Sequence, residues 1–153
     1  MAQRARALPD EPVRSAITVV APASKASAPV DLERAANQAL QLVTRSSWAE
    51  MASYLQQLFG QRLTAAITGV DDARTVGRWI RGQEPQTAFR GRLRDAYQVA
   101  KLIELAESRE TARAWFMGMN PSLNDAPPAQ VIAEDVQEGG RRVMKAARTF
   151  LTS

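Results

Sequence analysis

The side chains best suited to chemistry lie between Arg74 and Arg94. Arg74, Arg78 and Arg81 recur at i, i+4 and i+7. A helix therefore brings their guanidinium groups within about 60° of one another around its axis. Thr75 stands beside them, and Arg90, Arg92 and Arg94 follow closely. Guanidinium forks pair with phosphate oxygens or with the acceptor edge of guanine, and a threonine hydroxyl serves either role. Residues 71–101 hold seven basic and four acidic side chains, a surplus of three in a chain of net charge +4. That balance permits an anionic partner without requiring one. Arg74, Thr75, Arg78, Arg81 and Arg90 are the candidate DNA contacts. Two features oppose tight binding. Asp71 and Asp72 sit where the helix would start, good for the helix dipole but repulsive to phosphate. The turn between Gly69 and Thr75-Val76 is also one residue longer than the common helix-turn-helix spacing.

Covalent and metal chemistry finds little footing. The chain of 153 residues has no histidine and no cysteine. Imidazole-based triads, thiolate nucleophiles and the usual zinc ligands are thereby excluded. Glu134, Asp135 and Glu138 are close in sequence, but no oxygen-rich loop of metal-ligand spacing surrounds them. Gly139-Gly140 belongs to no phosphate-loop pattern. The expectation is a protein that is not an enzyme and uses no metal and no cofactor.

The elements that must position the arginines read as helices throughout. Residues 1–30 carry Pro9, Pro12, Pro22 and Pro29 among alanines and serines, with "SAITVVAP" the single apolar patch, and read as a disordered tail. From Asp31, a candidate cap, Leu32, Ala35, Ala36, Ala39, Leu40 and Val43 keep helical spacing. Ser46 or Ser47 caps a second helix with Trp48, Met51, Leu55, Leu58 and Phe59 on one stripe, stopped by Gly60. A short helix follows with Leu63, Ala66 and Ile67 facing in and Gly69 at its end. The arginine helix docks through Val76, Ile80 and part of Trp79. A longer helix spans about Phe89 to Glu107, with Leu93, Ala96, Tyr97, Ala100 and Ile103 inward. Ser108 caps a helix carrying Ala112, Trp115 and Phe116, broken at Asn120-Pro121. Pro128 opens a short helix with Val131 and Ile132 inward. Gly139-Gly140 breaks the chain, and a last helix runs from about Arg141 to Leu151. No segment alternates with period 2 between turn signals, so the fold class is all-α, a small helical bundle. No apolar run has the length of a signal core or a membrane span. The expectation is a soluble cytoplasmic protein with no membrane partner.

A second constellation, "AWFMGMNPSLNDAPPAQVI", is a proline-anchored corner. Trp115 and Phe116 end a helix, Asn120-Pro121 turns the chain, Leu123 is a lone apolar residue in a polar loop, and Pro128 restarts a helix. This pattern resembles the C-terminal toxin-binding domain of the MbcA/ParS/Xre antitoxins, at Trp115, Asn120, Pro121, Leu123, Pro128, Val131 and Ile132. Upstream, "TVGRWIRGQ" is similar to that family's Xre-like helix-turn-helix at Val76, Arg78, Trp79, Gly82 and Gln83. "LRDAYQVAKLIEL" resembles the helix that joins the two halves in mycobacterial members. The likeness covers roughly residues 45–151.

The resemblance implies a type II antitoxin, a homodimer that binds a NAD-consuming RES-domain toxin and blocks its active site. Trp115, Asn120, Pro121, Leu123 and Pro128 would then contact the toxin, and many members also repress their own operon, so operator DNA is the second expected partner. The implied organisation is a tail over 1–30, a helix-turn-helix domain over 31–107 and a toxin-binding domain over 108–153. The chain departs from the family in its tail, in the two acids of "ITGVDDA", and in a basic final helix with Arg141, Arg142, Lys145 and Arg148. Trp48, Tyr54, Leu58 and Phe59 offer more apolar surface than a small core needs, which favours a two-fold dimer. The residues alone leave open a free-standing helix-turn-helix regulator or a protein-binding adaptor with no toxin partner.

Overall fold

The computed structural model describes the backbone from Ala28 and side chains from Leu32, both through Ser153. The predicted tail of residues 1–30 lies, up to residue 27, outside the described residues. Eight α-helices follow in order: α1 (Ala28–Arg45), α2 (Trp48–Phe59), α3 (Gln61–Thr68), α4 (Arg74–Ile80), α5 (Thr87–Ala106), α6 (Arg109–Met117), α7 (Pro128–Glu134) and α8 (Gly139–Thr152). A single 3-10 turn, Pro121–Leu123, lies between α6 and α7. The described residues form no strand, only one isolated bridge between Asn120 and Ala126. The fold is all-α, as the periodicity predicts.

Local chemistry sets most boundaries. Ser47 and Glu50 form a reciprocal capping box at the start of α2, with bonds of 3.1 and 2.8 Å. Ser108 accepts the Thr111 amide at the start of α6. Gly69, left-handed at φ 92°, closes α3 by donating its N–H to Ala65.

The bundle is organised around α5. Leu93, Ala96, Tyr97, Val99, Ala100, Leu102 and Ile103 are all buried. These positions wrap most of the helix circumference, as expected of a helix covered on several sides. α1, α2, α3, α6, α7 and α8 all pack against it. Tyr97 meets Tyr54 of α2 edge-on, with centroids 5.4 Å apart. Phe59 of α2 meets Phe116 of α6 at 5.1 Å. Arg113 of α6 donates to the Leu58 carbonyl at 3.1 Å. Residues 31–107 and 108–153 therefore share one hydrophobic core.

Several expectations need correction. α1 begins at Ala28, so Asp31 lies inside the helix rather than capping it. Ala66 is exposed, and Thr64 and Thr68 take the inward positions of α3. Their hydroxyls bond back to the carbonyls of Gly60 and Thr64, which satisfies the polar atom and turns the methyl inward. Trp79 is wholly buried rather than partly so. Tyr54, Leu58 and Phe59 are 9%, 4% and 7% exposed, and Trp48 is half-buried. The monomer core uses this surface, so it supplies no argument for a dimer.

Gly139-Gly140 does not break the chain. It forms the first turn of α8, two residues earlier than expected. Close packing explains the glycines. A Cβ at Gly139 would strike the backbone of Val131 and Ile132, and one at Gly140 would strike the Asp95 side chain. Gly139→Ala therefore sets helix propensity, which favours alanine by up to ~1 kcal/mol, against overpacking of about 1–3 kcal/mol. The clash is with backbone and dominates, so thermal or urea denaturation should show net destabilisation. A stabilised variant would mean that α7 and α8 are not in contact there.

Candidate functional site

Two surfaces carry the sequence-predicted residues. The first is the unit formed by α3, the turn 69–73 and α4. Val76 and Trp79 are buried at 0% and 1% exposure and seat α4 on the core, with Trp79 also against Phe89. The turn is held from behind by Arg92. Its guanidinium lies against Gly69, where any Cβ would collide with it. It donates to the carbonyls of Ala133 in α7 and Ala88 in α5, at 3.2 and 3.3 Å. Arg92 is thus a strut between the turn, α5 and α7 rather than part of a basic surface.

The exposed side of α4 is not a bare arginine stripe. Ala73 precedes the helix without a side-chain cap, and Asp72 Oδ1 accepts the Arg74 amide at 2.9 Å. The same carboxylate accepts Arg74 Nε and Nη2, at 3.1 and 3.0 Å. Arg78 Nη2 stands 4.0 Å from it, and Arg78 Nη1 donates to Thr75 Oγ1 at 3.0 Å. The Arg74 side chain, then its amide, hold the Asp72 carboxyl below its ordinary range, and the pair raises Arg74 in turn. This network is open to water, so it stabilises the fold little. Its consequence is electrostatic: one carboxylate faces two guanidinium groups and screens them from any incoming phosphate.

Arg74, Thr75 and Arg78 thus come together as the helical spacing predicts. Neither Arg81 nor Arg90 shares a hydrogen bond or ion pair with that network. Arg81 caps the end of α4, exposed, with its guanidinium against Gly77. Arg90 belongs to another cluster, bonded to the Pro85 carbonyl at 2.8 Å, paired with Glu84 at 3.1 Å and stacked on Trp48 at 5.4 Å.

The second surface is the corner after α6. Asn120 is its keystone. Its Oδ1 accepts the Ser122 amide, and its backbone carbonyl accepts the amides of Leu123 and Asp125 at 2.9 and 2.8 Å. Asn124 and Asp125 adopt left-handed φ of 57° and 65°, a region these two residue types tolerate. Leu123 plugs the interior at 2% exposure, and Pro128 is buried where it opens α7. Trp115 is half-buried between Phe116 and Phe150, with centroids 5.5 and 6.0 Å away. Of the five predicted partner contacts, Asn120, Leu123 and Pro128 build the corner from inside. Pro121 and one side of Trp115 remain open to a partner.

The pattern reading missed the apolar surface beside the corner. Met117 and Met119 are 50% and 77% exposed. Met117 borders an open groove of about 460 Å³ that it shares with α3 and α7. The signal was present in "FMGMN", where two methionines flank a glycine just past the last helical turn.

The acids weighed as metal ligands have structural tasks. Asp135 accepts the Glu138 amide at 2.9 Å and pairs with Arg142 at 3.1 Å, and these bonds hold its carboxyl low. Glu138 pairs with Arg141, and Glu134 accepts from Gln130. Among the described residues no three acidic, histidine or cysteine side chains gather as a metal site, and no helix is long and apolar enough to cross a membrane.

The division of labour within the corner is measurable. Leu123→Ala should cost about 2–5 kcal/mol by the cavity it leaves, whereas Pro121→Ala should change stability by under about 0.5 kcal/mol, as exposed substitutions do. Equal losses in chemical denaturation would contradict an interior Leu123 and an exposed Pro121.

Comparison of the chain with protein-family models, with curated proteins and with solved structures returns no match.

Proposed function

We propose that this protein is an antitoxin-like regulator. It binds and neutralises a RES-domain toxin through the corner at 115–128, as a homodimer in the manner of the family it resembles. It contacts operator DNA through α4 in a second, weaker role. The observation that carries this reading is the exposed apolar surface at the corner. Met117 at the end of α6 and Met119 and Pro121 on the loop that follows are exposed, and Asn120 holds the turn that this loop enters. Exposed apolar side chains close together in sequence beside a hydrogen-bonded turn favour a protein partner. The DNA role is supported by the outward Arg74, Thr75 and Arg78 and limited by Asp72.

Co-expression with a RES-domain toxin encoded beside this chain should restore growth. Met119→Asp combined with Pro121→Asp should abolish rescue while leaving the melting temperature unchanged, since both positions are exposed. Failure of the unaltered chain to rescue would overturn the antitoxin reading. Persisting promoter binding in that case would favour a free-standing regulator.

The screening by Asp72 gives a signed prediction for DNA. In gel shifts on the protein's own promoter, Arg74→Ala with Arg78→Ala should weaken binding. Asp72→Asn should strengthen it and steepen the salt dependence by about one to two phosphate contacts, as freed guanidinium groups displace counterions. Weaker or unaltered binding by Asp72→Asn would show that this carboxylate does not oppose DNA.

A further inference from the structure

A pocket of about 340 Å³ opens between α5 and the start of α8. Asp95, Gln98 and Val99 line it from α5, Gln137 from the loop before α8, and Arg141 and Met144 from α8. The i, i+3 and i+4 spacing of the first three puts them on one face of α5. Room for the Asp95 carboxylate comes from Gly140, where a Cβ would collide with it.

Asp95 is the group that calls for an explanation. Four acidic side chains among the described residues are half-buried: Asp72, Asp95, Glu104 and Asp135. Asp72 faces Arg74 and Arg78, Glu104 faces Lys101 and Arg109, and Asp135 faces Arg142. Asp95 has no ion pair among the described residues. A carboxylate drawn partly out of water without a partner is costly, and such groups are normally paired. Burial pushes its carboxyl up, and the exposed Arg94 beside it pulls the other way without bonding to it. Arg141 reaches the pocket but is engaged by Glu138 at 3.4 Å, with its side chain 83% exposed.

The remaining lining matches what a cation on a carbon stem requires. Ammonium and guanidinium groups carry several donors and no acceptor, so after one carboxylate they need further acceptors. The side-chain carbonyls of Gln98 and Gln137 are of that kind. Val99 and Met144 offer apolar surface to the methylenes, which such side chains bury while the head stays paired. We propose that the pocket between α5 and α8 binds an alkylammonium or alkylguanidinium group, with the Asp95 carboxylate as its counter-ion. The site shares no residue with the corner at 115–128 or with α4, and its test is independent of the toxin and DNA readings.

The methyl groups of the five methionines of the full chain can be labelled with carbon-13. Met144 lines the pocket, and Met51 is buried in α2. Titration with butylammonium or ethylguanidinium chloride at constant ionic strength should shift the Met144 resonance to saturation and leave Met51 in place. Asp95→Asn keeps the side-chain shape and should weaken the apparent affinity about tenfold or more, the loss expected of one charge-assisted bond. Gln98→Leu should weaken it by less, and an unmoved Met51 resonance shows that each variant keeps its packing. A Met144 shift that never saturates, or that saturates alike in the parent and in Asp95→Asn, overturns the proposal. A peptide with one lysine, acetyl-Gly-Lys-Gly-amide, distinguishes the sources of the cation. Binding equal to that of butylammonium points to a lysine of a partner protein, and binding of butylammonium alone points to a free amine; both support the site.

Discussion

Burial of α5 on most of its circumference is the constraint on which the molecule depends. A helix with Leu93, Val99, Leu102 and Ile103 all at or near zero exposure cannot sit at a surface. Other helices must cover it from several sides at once, and that demand places both candidate surfaces. α2 and α3 cover part of it and bring the turn 69–73 and α4 with them. α6, α7 and α8 cover another part and bring the corner, and α1 closes the remaining side. Contacts such as Phe59 on Phe116 close the seam, so the two halves behave as one packed body.

Within that body, polar side chains divide between struts and surface. Arg92 looks in sequence like one more member of a basic patch beside Arg90 and Arg94. In the fold its guanidinium is spent on two backbone carbonyls and on the space that Gly69 leaves open. Arg90 is similarly spent on Glu84, Pro85 and Trp48. The surplus of positive charge over residues 71–101 therefore overstates what a phosphate would meet. Asp72 reduces it further, because its carboxylate is both the turn's hydrogen-bond acceptor and the partner of Arg74 and Arg78.

The helical class, the order of elements and most core positions were legible because apolar residues kept the 3.6-residue period from Leu32 to Leu151. Capping at Ser46 or Ser47 and at Ser108 and the stop at Gly69 were legible for chemical reasons. What pattern reading lost was tertiary. Gly139-Gly140 resembles a helix breaker until α7 and Asp95 are seen to press against it. Ala66 fits the inward phase of α3 as well as Thr64 and Thr68 do, and only packing decides between them. At the candidate sites, spacing brought Arg74, Thr75 and Arg78 together but could not show that Arg90 is held by Glu84, Pro85 and Trp48. It also could not tell that Asn120, Leu123 and Pro128 face inward, because residue identity does not reveal which side of a turn is buried.

The same packing bears on communication between the two surfaces. Coupling between distant sites requires an element with two arrangements that both sites bias. α7 and the turn 69–73 are joined by Arg92, and the groove beside Met117 is shared by α3 and α7. Nothing in this region resembles a hinge: the strut is bonded at both carbonyls, and the adjoining Ile67, Val131 and Ile132 are buried. A ligand at the corner and a ligand at α4 would therefore influence one another chiefly by steric exclusion and by charge. Steric exclusion acts where both reach α3. Charge acts through carboxylates such as Asp72, whose exposure makes its influence fall with added salt. In a body this tightly packed, position on a shared helix couples the two faces more directly than conformational change does.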